Sequence, residues 1–352
     1  MEGNVLTFGE LLLRICMDPE EKWLTDHQVP FWVGGAELNV ASALALWQVP
    51  TRYLTALPAN DLGDQIKSYL DKKGIDTGSV IRSDGRLGLY FLSEGKDVKH
   101  SAVIFDRADT AFSRLQTGMV DWDSVLEGIS WFHVSAIVPG ISESLAELCL
   151  QAVQAAAERN IRISFDLNYR ASLWKYGKDP IAVVPSIASC CHVIMGNIWS
   201  ANRMLGTYLD ESLESGKDKV DLICHAAQTS EEILARNPRC EMIANTFRFD
   251  HQDGIRYFTT MSARGEDIMV SREFRGNRVA DKVGSGDSFM AGIIYGFISG
   301  LSPRESLDFA TAAAFMKFYI PGDSTTATVA EIASGHQRYL YHEEGESIQN
   351  HR

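Results

Sequence analysis

The sequence predicts an α/β protein: a central, mostly parallel sheet with helices on both faces, and a small second sheet. From residue 129 onward, short apolar runs alternate with helical patterns, which is typical of a parallel sheet. Residues 80 to 107 instead alternate apolar and polar side chains between polar turns at residues 84–85 and 95–97, as antiparallel strands do. The 352 residues suffice for a large core. We predict one domain over residues 1–335 and a polar tail over residues 336–352.

The N-terminal part should supply strands to both sheets. Residues 4 to 17 are predicted to form two strands that are broken at Gly9-Glu10. The small residues from 40 to 47 predict a tightly packed helix, and Asn60 should cap another helix that ends at Gly74. The small sheet should take its strands from about residues 11–33 and 80–107, Val80-Ile81 among them.

The C-terminal part should complete the parallel sheet. Strands are predicted at residues 129–137, 162–167, 191–196, 242–246, 253–261 and 267–271, and helices at residues 142–158, 207–239 and 302–319. Ligands of open parallel sheets sit beyond the carboxyl ends of the strands. The segments 168–170, 196–197 and 284–287 follow apolar strands directly, and we therefore predict that they line one site.

The amino-acid composition limits the kinds of partner that this chain can bind. The formal net charge of −13 argues against nucleic acid, which favours a basic surface. Six scattered cysteines without a Cys-x-x-Cys pair predict free thiols in a reducing compartment. There is no signal peptide and no apolar run long enough to span a bilayer. The expectation is a soluble cytoplasmic protein with no membrane partner.

The stretch from Asp281 to Gly292 places a glycine turn at the start of an apolar helix. A helix start presents unpaired N–H groups and the positive end of the dipole, and glycine allows an anion to approach the backbone. Asp287 would stand beside that anion site and could accept a proton from an attacking hydroxyl. The combination suits phosphoryl transfer to an alcohol. A plain glycine turn with Asp287 in the first helical turn is the alternative.

Two motifs together resemble those of the ribokinase-like (PfkB) carbohydrate kinases. Residues 34–41, Gly-Gly-Ala-Glu-Leu-Asn-Val-Ala, are similar to the N-terminal di-glycine motif, and residues 281–292 resemble the C-terminal signature. The resemblance covers residues 4 to 333 and implies a three-layer α/β/α fold with a small β-sheet lid. Finer features, such as residues 88–90, 134–137 and 166–174, are similar to 2-keto-3-deoxygluconate kinases. That subgroup implies ATP-dependent phosphorylation of a terminal hydroxyl, giving 2-keto-3-deoxy-6-phosphogluconate.

The resemblance also implies roles for single residues. Asp287 would be the general base, and the N–H groups of Gly284, Ser285, Gly286 and Asp287 would hold the γ-phosphoryl group. The substrate would contact Gly34, Gly35, Asn39, Tyr90, Arg107, Arg170 and Asp287, with Arg107 as the best candidate for the sugar-acid carboxylate. The nucleotide would contact Asn168, Arg170, Asn197, Thr246, Gly284 and Gly286. Asn197 would place Mg²⁺ through a water, and Asp281 would stand at a site for a monovalent cation such as K⁺.

Several of these residues have simpler alternatives. Arg107 and Arg170 could be ion-pair partners, Tyr90 could fill a half-buried strand, and Asn39 or Asn168 could cap a helix or a turn. The sequence also departs from the family pattern. Lys282 follows the first aspartate of the signature, Ser200 replaces a frequent glutamate, and the stretch around Thr246 replaces a Gly-x-x-Gly segment.

Two other functions stay open at this stage. The protein could phosphorylate another small sugar, such as fructose or a related keto acid, or it could be a sugar-acid sensor without catalysis. The intact Gly-Ser-Gly-Asp segment argues against the sensor. An exposed lid sheet would also favour a homodimer or a higher homo-oligomer.

Overall fold

The computed structural model describes residues 4–17, 20–93, 103–215, 218–251 and 254–335. The predicted tail over residues 336–352 and the predicted turn at residues 95–97 lie outside the described residues. The strands are β1 (Val5–Phe8), β2 (Leu12–Ile15), β3 (Phe31–Gly34), β4 (Thr51–Leu54), β5 (Ala56–Pro58), β6 (Ile75–Asp76), β7 (Ile81–Ser83), β8 (Gly88–Phe91), β9 (Ile104–Asp106), β10 (Trp131–Ser135), β11 (Arg162–Asp166), β12 (Val193–Gly196), β13 (Met242–His251), β14 (Gly254–Ala263), β15 (Met269–Val270) and β16 (Phe274–Asn277).

The helices cover the sheet. They are α1 (Lys22–Thr25), α2 (Ala36–Leu46), α3 (Asp61–Lys72), α4 (Trp122–Val125), α5 (Ile137–Ile141), α6 (Glu143–Glu158), α7 (Pro180–Ala188), α8 (Ile198–Leu205), α9 (Lys219–Arg236), α10 (Ser285–Ile298) and α11 (Pro303–Lys317). The predicted caps at Asn60 and Ser142 are confirmed, since their side chains accept from Gly63 and Leu145 N–H groups. Within the described residues no helix is both long and apolar enough to cross a membrane.

The main sheet has ten strands in the order β15-β14-β13-β12-β11-β10-β1-β4-β6, with β16 also paired to β14. Every pairing from β6 across to β13 is parallel, and the pairings of β14 are antiparallel. The predicted α/β class with a mostly parallel central sheet is therefore confirmed. The predicted strand over residues 129–137 ends at Ser135, and a short helix follows it.

Alternate residues of the strands pack into two cores. In β1, Leu6 and Phe8 join the core beneath α4, α6 and α7, whereas Val5 joins the core beneath α2, α10 and α11. Both faces of the sheet are thus apolar, as expected for parallel strands covered on two sides. α10 and α11 approach closely, because a Cβ on Gly292 would lie 2.5 Å from the Cα of Ala310. This packing fixes the direction of α10 and so the position of its first turn.

The small sheet has four strands in the order β3-β2-β8-β9. One detail of the prediction was wrong: Val80-Ile81 does not contribute to this sheet, because β7 pairs in parallel with β5 instead. The antiparallel pairing predicted within residues 80–107 is confirmed for β8 and β9. The pairing of β2 with β3 is also antiparallel, whereas β2 and β8 are parallel. Alternating side chains cannot give the strand direction here, since β2 and β8 are joined by α2 and α3 rather than by a hairpin turn.

Candidate active site

The first turn of α10 forms the centre of the candidate site. Gly284, the residue before the helix, has φ 79°, and a Cβ there would lie 1.8 Å from the carbonyl oxygen of Asp323. Only glycine fits this left-handed and crowded position. The first intrahelical hydrogen bond runs from Ser288 N to Gly284 O, so the N–H groups of residues 285–287 stand at the open end of the helix. The backbone thus presents donors of the kind that bind anions.

Asp287 lies in that turn and is nearly buried. The side-chain amide of Asn39 donates to its Oδ2 at 2.7 Å, and the Ser324 hydroxyl donates to the Asn39 Oδ1 at 3.1 Å. Burial raises the pKa of Asp287 to about 8, while the Asn39 hydrogen bond lowers it. Two elements far apart in sequence, α2 and α10, therefore hold this carboxylate in one orientation.

Further charges act on Asp287. The carboxylates of Asp166 and Glu37 raise its pKa and the guanidinium of Arg170 lowers it. Glu37 is buried and accepts from Ser135 N at 3.0 Å and from Ser135 Oγ at 2.5 Å, and burial raises its own pKa to about 7. The candidate base therefore belongs to a group of acidic side chains that favours retention of a proton.

The two glycines of the N-terminal motif lie where β3 ends and α2 begins, close to Asp323 and Glu10. A Cβ on Gly34 would lie 2.1 Å from Oδ2 of Asp323, and one on Gly35, which has φ 143°, would lie 2.3 Å from the Glu10 carbonyl oxygen. Side chains at these positions would clash with the Asp323 carboxylate and with the backbone of Glu10. This packing explains both glycines, and their contact with sugar hydroxyls stays a prediction.

Two predicted substrate residues of the small sheet are engaged with other side chains. The Tyr90 hydroxyl donates to Oδ2 of Asp323, and its ring stacks on Phe105. Arg107 donates to Oε2 of Glu10 through Nε at 2.8 Å and through Nη2 at 2.5 Å. The pair is largely buried, with the Arg107 side chain 11% exposed and that of Glu10 2%. Glu10 thus already neutralises the cation predicted to meet the sugar-acid carboxylate.

Beneath the glycine turn lies a group of buried charges, which we call the basal cluster: Arg14, Asp281, Lys317 and Asp323. Arg14 donates through Nη1 to Asp323 at 3.0 Å and through Nη2 to Asp281 at 2.5 Å. Lys317 donates through Nζ to the Ile320 carbonyl at 2.8 Å. Burial lowers the pKa of Lys317 to about 8, and Asp281 and Asp323 raise it. All four side chains are shielded from water.

Asp281 was predicted to stand at a monovalent-cation site, and its oxygens meet protein donors. Oδ2 accepts from Arg14 and from Gly322 N at 3.2 Å, and Oδ1 accepts from Val283 N at 3.1 Å. Lys282, the departure from the family pattern, points elsewhere and pairs with Asp250 at 3.0 Å. The guanidinium of Arg14 therefore already supplies a positive charge to the Asp281 carboxylate.

The predicted nucleotide residues lie along the edge of the sheet. Asn168 follows β11, and its N–H donates to the Asp166 side chain at 3.0 Å in a turn. Asn197 caps α8, with its Oδ1 accepting from Ser200 N at 2.9 Å. Thr246 in β13 donates to the Gly196 carbonyl at 3.5 Å. These contacts explain the residues structurally, and their contacts with nucleotide or metal stay predictions.

Sequence reasoning missed most of the buried charges: Glu10, Arg14, Glu37, Lys317 and Asp323. A signal was present for two of them. Arg14 interrupts an apolar strand, and Lys317 follows Ala-Ala-Ala-Phe-Met in an apolar helix. A charged residue inside such a run is almost never buried without partners. Its partners could not be named from the sequence, because they come from distant segments.

Comparison with known proteins identifies the family to which this fold belongs. The model of the pfkB family carbohydrate kinases matches residues 3–327. Similar curated proteins are a 2-dehydro-3-deoxygalactonokinase of Haloferax volcanii (27% identity, covering 94% of this chain and 96% of that protein), a 2-dehydro-3-deoxygluconokinase of Bacillus subtilis (25%; 98% and 100%) and a 5-dehydro-2-deoxygluconokinase of Clostridium tetani (25%; 81% and 78%). The crystal structure of a 2-dehydro-3-deoxygluconokinase of Thermotoga maritima superposes with a TM-score of 0.85 at 29% identity, covering 95% of this chain and 99% of that one.

The fold is that of a carbohydrate kinase. The chain belongs to the pfkB family of carbohydrate kinases, and its fold is ribokinase-like.

Proposed function

We propose that this kinase transfers the γ-phosphoryl group of ATP to the terminal hydroxyl of 2-keto-3-deoxygluconate, giving 2-keto-3-deoxy-6-phosphogluconate. The observation that carries the proposal is the geometry at the start of α10. There, Asp287 lies in the same turn as the free N–H groups and is oriented by Asn39 at 2.7 Å. An oriented base beside an anion site is the minimum that phosphoryl transfer to an alcohol requires.

In this mechanism Asp287 accepts the proton of the attacking hydroxyl, which then bonds to the γ-phosphorus as the bond to ADP breaks. The N–H groups of residues 284–287 stabilise the negative oxygens of the transferring group. The raised pKa of Asp287, about 8, makes it a stronger base than an ordinary carboxylate. The same raised pKa leaves most of the Asp287 carboxyl protonated at neutral pH.

The residues of the candidate site are compatible with a Mg²⁺ ion that binds together with ATP. The described residues contain no group of three or more acidic, histidine or cysteine side chains that could hold a metal ion. Mg²⁺ commonly takes one or two protein ligands and fills the rest with phosphates and water. We assign Asn197 to a water-mediated contact, and the ion would neutralise charge on the phosphates.

Membership of the family does not by itself identify the sugar that is phosphorylated. The similar proteins carry names of three different keto-deoxy sugar-acid kinases. We assign the carboxylate to Arg107, whose guanidinium stands beside the small sheet. One observation favours a second candidate, a neutral sugar such as fructose. Glu10 already pairs with Arg107, and a neutral sugar would need no additional cation.

The test is ADP release with ATP and Mg²⁺ on 2-keto-3-deoxygluconate, its galactonate epimer, 5-keto-2-deoxygluconate, fructose and ribose. We expect turnover on the keto-deoxy acids, with Asp287→Asn about 10²- to 10⁴-fold slower, the usual effect of a general base. The exposed Asp84→Asn is the matched control and should be unchanged. Turnover on neutral sugars alone would overturn the substrate assignment.

Arg107→Ala separates the two substrate classes. If Arg107 binds the carboxylate, KM for the keto-deoxy acid should rise by at least tenfold, because a charge-assisted hydrogen bond is lost. The variant Glu10→Gln should then leave KM unchanged or lower it. If Arg107→Ala and Glu10→Gln impair all sugars equally, Arg107 serves the small sheet and not the substrate.

We further propose that the small sheet pairs with a second copy in the cytoplasm. Phe31 and Ile104 lie in its two edge strands, and each is 57% exposed. Open edges with large apolar side chains favour association. Light scattering should give at least twice the chain mass of 39.0 kDa. Phe31→Asp and Ile104→Asp should reduce that mass, and a monomeric wild type would contradict the proposal.

A further inference from the structure

The ammonium group of Lys317 is an unusual feature of the basal cluster. Lys317 ends α11, is fully buried, and donates to the carbonyl of Ile320 at 2.8 Å. Its Cε lies 3.4 Å from the position that a Cβ on Gly284 would take. The charge therefore sits directly behind the first residue of the glycine turn.

The balance of charge beneath this turn depends on Lys317. The basal cluster contains two carboxylates, Asp281 and Asp323, and two cations, Arg14 and Lys317. Without Lys317 the cluster would carry an excess negative charge behind the N–H groups of α10. A negative charge at a helix start offsets the positive end of the dipole and would repel an anion there.

A soluble monovalent cation does not fit the same place. Both oxygens of Asp281 accept from protein donors, and the guanidinium of Arg14 and the ammonium of Lys317 already supply positive charge beside it. A further cation would have to enter a volume that is closed to water and shared with two fixed cations. Electrostatic repulsion and exclusion of water both oppose its entry.

We propose that Lys317 is a built-in cation that supports the anion site at the start of α10 and makes phosphoryl transfer independent of soluble K⁺. The proposal rests on the kinase function given above. Lys317 acts through the Gly284 turn, and it is therefore a positioning residue. It holds no proton that the reaction uses and contacts neither sugar nor phosphate directly.

The first test compares the wild-type enzyme in buffers of KCl, NaCl and tetramethylammonium chloride at equal ionic strength and fixed Mg²⁺. We expect kcat and the KM for ATP to agree within about twofold in the three salts, because the internal charge does not exchange with solvent. Activation of more than about tenfold by K⁺ would overturn the proposal.

The second test replaces the ammonium. Lys317→Ala leaves room for an ion, whereas Lys317→Met fills the same space without charge. We expect both to lower kcat by at least tenfold, because an uncompensated negative charge would then lie behind the N–H groups of α10. K⁺ or NH₄⁺ should restore Lys317→Ala by at least threefold and leave Lys317→Met unchanged. A merely structural lysine would not give this cation-specific rescue.

The control is Lys67→Met, which removes a lysine from an exposed ion pair in α3. It should match the wild type in every salt. Full activity of Lys317→Met, or rescue of neither variant by cations, would overturn the proposal. If the Lys317 variants do not fold, the salt series on the wild type decides alone.

Melting temperature provides a readout that needs no turnover. K⁺ should raise the melting temperature of Lys317→Ala relative to tetramethylammonium, and it should not do so for the wild type. If no sugar is phosphorylated in any salt, the proposed function fails, whereas this thermal comparison still tests the internal cation. A K⁺-specific rise in the wild type would overturn it.

Discussion

Asp287→Asn should make the protein more stable while it slows turnover about 10²- to 10⁴-fold. Asparagine has the same shape and can still accept the hydrogen bond from Asn39. The wild-type carboxylate is nearly buried, and its pKa is raised from 3.8 to about 8, chiefly by burial. The folded state thus binds this proton more tightly than the unfolded state does. As pH rises from about 4 to 8, the unfolded state releases the proton first, and the wild type loses stability.

The size of the effect follows from that difference in pKa. One pKa unit corresponds to about 1.4 kcal/mol, so the full penalty above pH 8 would reach about 6 kcal/mol. Relaxation of the protein and proton uptake by neighbouring carboxylates reduce it, and we expect about 2 kcal/mol at pH 8.5. Near pH 5 most of the penalty is absent because the folded carboxyl is still protonated, and we expect less than about 1 kcal/mol.

Urea unfolding of both proteins at pH 5, 7 and 8.5 measures the difference. The exposed Asp84→Asn is the control and should match the wild type at each pH. The reasoning is refuted if Asp287→Asn is no more stable than the wild type at pH 8.5. It is refuted equally if the gain does not grow with pH, because that would place its origin in packing and not in a buried charge.

The ion pairs of Arg14, the crowded turn at Gly284 and the ionisation of Asp287 each predict a measurable effect. Arg14→Met removes the guanidinium that pairs with the buried Asp281 and Asp323, and urea unfolding should show a loss of about 3–5 kcal/mol; a loss under about 1 kcal/mol would contradict the ion pairs. Gly284→Ala places a Cβ 1.8 Å from the Asp323 carbonyl oxygen, and we expect a loss of about 1–3 kcal/mol with at least tenfold lower kcat. For the wild type, kcat/KM should rise with pH from about 6 to 8, since Asp287 must be ionised to accept a proton; a pH-independent profile over that range would argue against it as the base.

The parallel sheet could be predicted from sequence because its signal is local. Each buried strand is an apolar run, and each helix between them has its own cap, as at Ser142. The small sheet was predicted less well. Alternation located β2 and β8, but their parallel direction depends on connections through α2 and α3, and β7 joined β5 instead. The partner of a strand is set by the tertiary structure, and the alternation of apolar and polar residues along the strand does not specify it.

In the candidate site, too, the local features could be predicted from the sequence and the long-range contacts could not. The glycine turn and Asp287 were found because glycines and a carboxylate adjoin in sequence. The Asn39 contact with Asp287 spans 248 positions, and that of Arg14 with Asp323 spans 309. No local pattern reports such a pairing. The roles of Tyr90 and Arg107 were inferred without the buried acids that hold them, Asp323 and Glu10.

The buried charges have a common physical logic. A base at the start of α10 must lose water to react within a closed site, and this raises its pKa. Acidic neighbours such as Glu37 raise it further, and the cost is lost stability. Below the turn, Lys317 and Arg14 offset the carboxylates that fix the loop, so the N–H groups keep a positive potential. If this is correct, Asp287→Asn and Lys317→Met should both lower the rate. A double variant no slower than Asp287→Asn alone would show that both act on one chemical step.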